Sequence, residues 1–461
     1  MSATLNTKET TEKIYFWYSR RNLKLGLFAI FLAVLAISAL IPPMQSPDEP
    51  THLNRAYLLS KGIIFTSNEG GLTGGYINRN LFIYENLFAT LNSDGKSRNT
   101  EKLTNAAKKL EWEDQKIFVW FPNTASYLPF SYLPQALALR LGESLNLSIN
   151  QSYYLCRFFS LSATILIVFF AFSLFPASPI TITCFLLPMS LFQMGTTSLD
   201  SITFSLFALT GAIFMRVCNP KNSFPPMLQA IFFITLFLII NTRLNFFPLA
   251  ILPLIIYYHR KSRSLIKNMI LLIAGSISWF AWGLLNIHRL RPAGMPTATE
   301  TMFYYLSNPI QLIKIFYATL FNKISIYWYW QGMIGIFGWL DTPLADFTYL
   351  LFFGILLFLG IISFQKISIL KAEYERFCVS ILIFISLLAL FSLMLFAWTP
   401  PSSKYIEGIQ GRYFIPFLIL IGYIFFDRVI SGKRILIVKL SLVATLCASA
   451  FITSSTLLSR Y

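Results

Sequence analysis

An all-α polytopic membrane protein of about eleven transmembrane helices (roughly 10–13) is the fold class this sequence predicts, and three observations predict it. Hydrophobic residues make up 55% of the 461 residues and charged residues only 12%, about half the charged share of a soluble domain. Mean hydropathy is +0.61, which leaves too little polar surface to cover a water-soluble globule. Apolar runs long enough to cross a bilayer recur along the chain, and Lys and Arg gather in short loops between them.

The first run, 24–42, lacks a small-residue exit and ends in Ile41-Pro42-Pro43. It reads as a retained span that also targets the chain. A hydrophilic stretch from 43 to about 124 follows, and then an apolar segment from Tyr127 to Leu141, rich in Pro and aromatics. Further spans fall near 152–175, 179–195, 199–218, 226–241, 244–258, 267–287, 346–365, 377–398, 412–427 and 435–456.

Orientation follows from the basic loops. Lys8, Lys13, Arg20, Arg21 and Lys24 put the N-terminus in the cytoplasm. The clusters Arg260-Lys261-Arg263-Lys267, Lys366-Lys371-Arg376 and Arg428-Lys433-Arg434-Lys439 belong there too. All of them fall inside only if 127–141 does not cross, which gives eleven spans with the C-terminus outside. With Arg216 and Lys221, these inner segments hold 18 basic and 5 acidic residues, so they carry +13 of the net +17. The pI near 9.6 therefore reflects orientation and not a nucleic-acid surface.

The organisation expected is a cytoplasmic tail, 1–23; a transmembrane module, 24–287, that includes an outer loop, 43–151; a second outer loop, 288–345; and C-terminal spans, 346–461. A third outer segment covers 399–411. In the second outer loop, Asn308 to Trp330 reads as one amphipathic helix at headgroup level, with Lys314 and Lys323 among Tyr and Trp. Five Cys within apolar runs give no disulfide framework and no zinc spacing, and three His cannot build a multi-His metal centre. No Walker motif and no GxGxxG is present, so nucleotide-driven chemistry is disfavoured.

Five polar constellations could carry chemistry. Ser46-Pro47-Asp48-Glu49-Pro50-Thr51-His52 places two carboxylates and an imidazole just after the first span, a set suited to general-base work on a hydroxyl. The same string is a helix start, with Ser46 and Glu49 as a capping box or Asp48 as the cap, and on spacing alone the helix start is the stronger reading. Thr196-Thr197-Ser198-Leu199-Asp200-Ser201 sits at an outer turn, where Ser198 or Asp200 reads as an N-cap. An acidic group at that depth is otherwise costly. Arg243 and Arg412 are arginines on the outer side, read either as headgroup-snorkelling side chains or as a phosphate clamp. In Ile336-Phe337-Gly338-Trp339-Leu340-Asp341-Thr342-Pro343-Leu344, Gly and Pro mark a turn and Asp341 reads as a cap for the next element. Arg55, Tyr405 and Tyr413 join the candidate substrate-binding set, while Arg157, His288, Arg289 and Arg291 are weaker candidates.

The string from Ser46 to His52 with Arg55-Ala56-Tyr57, together with Tyr127-Leu128-Pro129, Tyr132-Leu133-Pro134-Gln135-Ala136, Leu187-Pro188-Met189-Ser190, Phe337 to Pro343 and Gln410-Gly411-Arg412-Tyr413-Phe414-Ile415-Pro416, resembles a bacterial family of polytopic proteins known as domain of unknown function 2142. The motifs run in order from about 41 to 420. That family is similar to the GT-C superfamily of membrane glycosyltransferases, which use polyprenyl-phosphate-linked sugars. The resemblance implies surface helices in the first outer loop and a base at Asp48, with Glu49 as the less favoured bearer. It places a second acidic position at Asp200. Unlike the better-known GT-C branches, the chain shows no C-terminal soluble domain and no evident sequon-reading motif.

The resulting expectation is a glycosyltransferase of the bacterial inner membrane, working on its outer face. It moves a sugar from a polyprenyl-phosphate donor to an extracytoplasmic glycan such as an O-antigen, with inversion. Asp48 is the base, Glu49 and His52 tune it or position the acceptor, and Arg412 or Arg243 steadies the leaving phosphate. Any divalent cation, Mg²⁺ or Mn²⁺, falls to Asp48 and Asp200. The alternatives are a flippase for lipid-linked saccharides, a polymerase of such saccharides and a non-enzymatic assembly subunit.

Overall fold

The computed structural model describes residues 19–92, 100–288, 295–363, 373–425 and 433–461. The tail before residue 19 and the candidates Arg289, Arg291, Lys366, Lys371, Asp427 and Arg428 lie outside the described residues. The fold is helical and polytopic. Among the described residues, seven helices are long and apolar enough to cross a membrane: Arg20–Leu40, Ile149–Leu174, Asp200–Cys218, Arg263–Asn286, Asp346–Ser363, Tyr374–Ala397 and Arg434–Arg460. The helix Asp200–Cys218 is sheathed on nearly every side and forms the axis of the bundle.

Four expected spans are shorter or broken, and proline is the main cause. The run 179–195 becomes the helices Pro179–Leu186 and Pro188–Met194, parted at extended Leu187 because the residue before a proline avoids the helical region. The run 244–258 becomes a 3-10 segment, Leu244–Ile251, followed by the helix Leu252–Arg260. Pro248 and Pro253 cannot donate there to a continuous helical ladder. The other two are Pro226–Ile240 and Gly411–Phe425.

The segment after Tyr127 forms a 3-10 turn, Pro129–Tyr132, and the helix Leu133–Ser144. Twelve residues of helix reach only about 18 Å, short of the ~30 Å hydrocarbon thickness. The helix lies against Glu49–Ser60 and Ile149–Leu174 and exposes Leu133, Leu137 and Leu141 along one face. The expected amphipathic helix over 308–330 is instead two helices, Pro309–Leu320 and Lys323–Ile334, preceded by Ala298–Ser307. Pro309 and Asn322 interrupt it. Exposed Phe303, Tyr304, Tyr317, Tyr327 and Trp328 keep the expected aromatic character.

The outer loop also holds a three-stranded antiparallel sheet that the apolar periodicity did not signal, Ser67–Glu69, Leu72–Asn78 and Lys116–Trp120. Its Thr73 accepts from the His288 backbone N–H at 2.7 Å, which ties the sheet to the end of the helix Arg263–Asn286.

The bundle has two chemically different ends. At one end, Arg216 donates to Leu174 O, Arg260 to Val217 O and Asn219 O, and Arg376 to Ile424 O, so cations cover helix C-terminal carbonyls. At the other end lie the close of Arg20–Leu40, the start of Ile149–Leu174, Asp200 and the Tyr461 side chain, which donates to Gln45 at 3.0 Å. The Asp48 segment belongs to this second end. Cysteines placed at Ser144 and Ser264 in a cysteine-free background should react with a membrane-impermeant maleimide from opposite faces. Labelling of both from one face would overturn the two-ended arrangement.

Candidate functional site

The eight residues from Ile41 to Asp48 join the first span to the helix Glu49–Ser60, and two buried charges fix their path. Arg157 donates from Nη1 to Ser38 O (2.9 Å) and Ile41 O (2.7 Å), and from Nη2 to Pro42 O (3.1 Å). Its Nη2 lies 3.7 Å from Glu49 Oε1. That oxygen accepts from Tyr153 Oη, Thr197 N and Thr197 Oγ1, while Oε2 accepts from Ser46 N at 3.1 Å. Glu49 is therefore sealed and saturated. Its side chain locks three segments and has no lone pair turned to the surface, so the expectation that it shares the catalytic position gives way to a structural placement.

Asp48 behaves in the opposite way. It stands at the cap position in left-handed backbone, φ 61° and ψ 10°, and makes no capping hydrogen bond. Aspartate tolerates that conformation better than most residues, yet it is strained, and such strain concentrates at functional positions. The freed carboxylate is 35% exposed and stands 3.8 Å from Arg412 Nη2. Of the capping box that the spacing predicted only one half forms, Ser46 N donating to Glu49; Ser46 Oγ donates to Gln193 instead, and the helix starts at Glu49 with no side-chain cap.

Asp200 opens the central helix, where the helix dipole favours an anion. Leu199, not Ser198 or Asp200, takes the cap position, and no side chain caps there. The Asp200 side chain turns instead to two arginines: Arg243 Nη2 donates to Oδ1 at 2.8 Å, and Arg412 Nη1 sits 3.0 Å from Oδ2. The second contact is an ion pair without hydrogen-bond alignment, so Oδ2 and Nη1 both keep unused bonding capacity. Tyr413 lies under both guanidiniums, 4.1 Å from Arg243 and 5.7 Å from Arg412. Gln410 Oε1 accepts from Arg412 Nε at 2.7 Å. Neither arginine snorkels to a headgroup. Arg412 is delivered here because Gly411 lets the chain touch the helix Lys323–Ile334; a Cβ on Gly411 would meet Tyr329 O at 2.1 Å.

His52 Nδ1 shares a hydrogen bond of 2.7 Å with Tyr132 Oη. Burial holds its pKa down to about 4; Asp48 and Asp200 oppose that shift, and Arg412 and Arg243 reinforce it. The imidazole beside the centre is thus neutral at pH 7. Two Asp and two Arg then make a centre of zero net charge, with Asp48 its most exposed carboxylate. Arg55, on the same helix, is fully buried and approaches Tyr132 rather than the aspartates.

The remaining candidates do not join the cluster directly. Trp339 Nε1 donates to Met44 O at 2.9 Å and steadies the approach to Asp48. Asp341 caps nothing; it pairs with Arg460 at 2.7 Å, and the next helix begins at Asp346. Tyr405 is exposed. A divalent cation does not fit between the two aspartates, because Arg412 stands there and contacts both. Among the described residues, no group of three or more His, Cys, Asp or Glu could hold a metal. Tyr132, Gln410 and Tyr127, whose side chain hydrogen-bonds Arg243, stood in conspicuous motifs, but their types alone did not mark them. Arg157 ranked low in the sequence because its carbonyl partners leave no residue signature.

Glu49→Ala should cost roughly 3–5 kcal/mol, since it strands buried Arg157, whereas Asp48→Asn should stay within about 1 kcal/mol of wild type; chemical unfolding in detergent distinguishes them. Between pH 6.5 and about 4 the unfolded chain binds a proton at His52 that the folded one refuses. Stability should therefore fall as pH drops through that window, by roughly 3 kcal/mol in all. His52→Gln, which does not titrate and still offers Tyr132 a partner, should flatten that part of the profile.

No curated protein and no solved structure matches the chain. A family model described as "Predicted membrane protein (DUF2142)" matches residues 31–421, a stretch holding Asp48, Asp200, Arg243 and Arg412. With most of its length covered, the chain belongs to this family of predicted membrane proteins.

Proposed function

We propose that the chain is a GT-C-type glycosyltransferase that moves a sugar from a polyprenyl-phosphate donor to an extracytoplasmic glycan acceptor, with inversion. One observation carries the reading. The Asp48 carboxylate makes no capping bond, is held in left-handed backbone and is a third exposed, with buried Arg412 beside it and half-buried Arg243 on the far side of Asp200. A helix start built only for stability would use that carboxylate on the backbone. Here it makes no such bond.

In the proposed reaction an acceptor hydroxyl gives its proton to Asp48 and attacks the anomeric carbon. The bond from that carbon to the phosphate oxygen breaks, and the polyprenyl phosphate leaves with the electron pair from the opposite side. Arg412, with Nη1 lacking an aligned hydrogen bond, faces the developing negative charge, and Arg243 holds Asp200 in place behind it. Neutral His52 positions the acceptor through its remaining ring nitrogen. No metal step is needed.

The setting is a bacterial inner membrane. In this reading the basic end faces the cytoplasm and the Asp48 end the periplasm, as the excess of Lys and Arg requires. The described elements then make eleven passes, counting the broken runs after Pro179 and Leu244 and leaving Leu133–Ser144 outside. The aromatic helices Pro309–Leu320 and Lys323–Ile334 would meet the polyprenyl chain at the interface.

In proteoliposomes supplied with a radiolabelled polyprenyl-phosphate sugar and an envelope glycan acceptor, wild type should transfer label. Asp48→Asn at equal protein should lose about 10²–10⁴-fold of the rate. Undiminished transfer by Asp48→Asn would remove the base assignment. Movement of intact lipid-linked saccharide across the bilayer, with no glycosidic bond cleaved, would replace the enzyme by a flippase.

A further inference from the structure

The span Arg263–Asn286 is the least buried of the seven, with only 17% of its apolar stretch covered by protein, so most of its surface meets lipid. At its basic end a groove of about 480 Å³ opens between this helix and the helix Leu252–Arg260. Tyr257 lines it from one side, and Arg263, Ile266, Lys267, Ile270 and Leu271 line it from the other. Those five follow one another at helical spacings and so share one face. Along that face the cations come first and the hydrocarbon after: Arg263 opens the span, Lys267 stands one turn in, and exposed Ile270 and Leu271 lie a turn deeper.

The two cations are uncommitted. At the same end Arg216, Arg260 and Arg376 donate to helix carbonyls. Arg263 and Lys267 take part in no hydrogen bond, ion pair or ring contact among the described residues. Glu375 is engaged elsewhere, 2.8 Å from His259 Nε2. Lys261 adds a third positive charge beside the groove, its Nζ lying 5.8 Å from the Tyr257 ring and 4.9 Å from that of Tyr258. A second groove of about 460 Å³, on the span Asp346–Ser363, is lined from Phe347 to Phe358 by apolar residues and glycine alone. Acyl chains suffice to fill that one; the charged groove calls for an anionic head as well.

We propose that the groove beside Arg263 and Lys267 binds one anionic phospholipid of the adjoining leaflet. Its phosphodiester sits between the two cations, and an acyl chain lies along Ile266, Ile270 and Leu271. Charge complementarity selects the head, since the guanidinium fork grips phosphate oxygens in pairs and the ammonium adds a point charge. A zwitterionic lipid would bring a further cation to those already present. Free phosphate fits the lining poorly: it would leave four apolar side chains wet, and the space is many times the ~30 Å³ share of one water. Basic pockets between spans hold anionic headgroups in this way. The lipid clamps the two helices across their two-residue link, at the opposite end of the bundle from Asp48, and its binding does not depend on the transfer reaction.

The test uses the full chain in phosphatidylcholine vesicles carrying a trace of photoactivatable lipid, with a diazirine in the acyl chain and a phosphatidylglycerol or a phosphatidylcholine head. After irradiation, peptide mass spectrometry should place the phosphatidylglycerol label on residues 266–271, with far less from the phosphatidylcholine form. Unlabelled phosphatidylglycerol should compete that label away, and inorganic phosphate should not. Arg263→Gln combined with Lys267→Gln should weaken the labelling about 30-fold, roughly a factor of five for each surface charge. Lys116→Gln, which removes an exposed cation at the other end of the molecule, should leave it unchanged. Equal labelling by the two headgroups, undiminished labelling in the double variant, or displacement by inorganic phosphate would overturn the proposal. Should the double variant fail to fold, the headgroup comparison and the competition in wild type decide the matter.

Discussion

Arg157 is the constraint on which the rest of this end of the molecule depends. The last carbonyls of the opening span have no intrahelical partners, and the two prolines after them cannot donate back. One guanidinium, coming from a different span, takes Ser38 O within the helix, Ile41 O at its cap and Pro42 O just beyond, and approaches Glu49 as well. The chain from Ser38 to Glu49 is thereby fixed at both its ends. With so short a path between fixed points, the residue just before Glu49 is forced into left-handed backbone. Asp48 occupies it, and its side chain is thrown outward rather than over the helix terminus.

The second layer of the arrangement is electrostatic. Asp200 is nearly dehydrated, and a carboxylate there would be expelled or protonated without compensation. Two arginines and a helix N-terminus compensate it, so the arginines are held by Asp200 as much as they hold it. Such mutual pairing keeps both guanidiniums rigid at little net charge, and rigidity is what a preorganised anion-stabilising group requires. The misaligned contact between Arg412 and Asp200 is informative in this light. A pair built only for stability would align its hydrogen bond, as Arg243 does with Oδ1.

Much of the fold was legible from composition and periodicity. Every apolar run identified in the sequence has a described helix or broken helix at its place, and residues 127–141 hold a 3-10 turn and most of a twelve-residue helix. The runs that broke did so at Pro188, Pro248 and Pro253, which hydropathy averages over because proline costs little on such a scale. The sheet escaped because its strands are short and the middle one, Leu72–Asn78, is broken by two glycines, of which Gly74 lets Val119 come close rather than marking a face. In the site, the acid and base residue types were visible, but their division of labour was not. Asp48 and Glu49 are adjacent carboxylates, and each has a place in a helix start; only Arg157, Tyr153 and Thr197, more than a hundred residues away, separate them by binding Glu49 alone.

The arginines show how one residue type serves two ends of a membrane protein. At the basic end Arg216, Arg260 and Arg376 spend their donors on the carbonyls of helix C-termini, contacts that need no acidic partner and leave the positive charge to set orientation. At the other end Arg243, Arg412 and Arg460 are each matched to an aspartate, which removes the excess charge that would oppose that orientation. Arg157 combines both uses, and it stands where the first span becomes the candidate site. Charge balance at this end thus serves topology and the site together: the aspartates that neutralise the outward arginines also hold their planar forks in fixed positions beside Asp48.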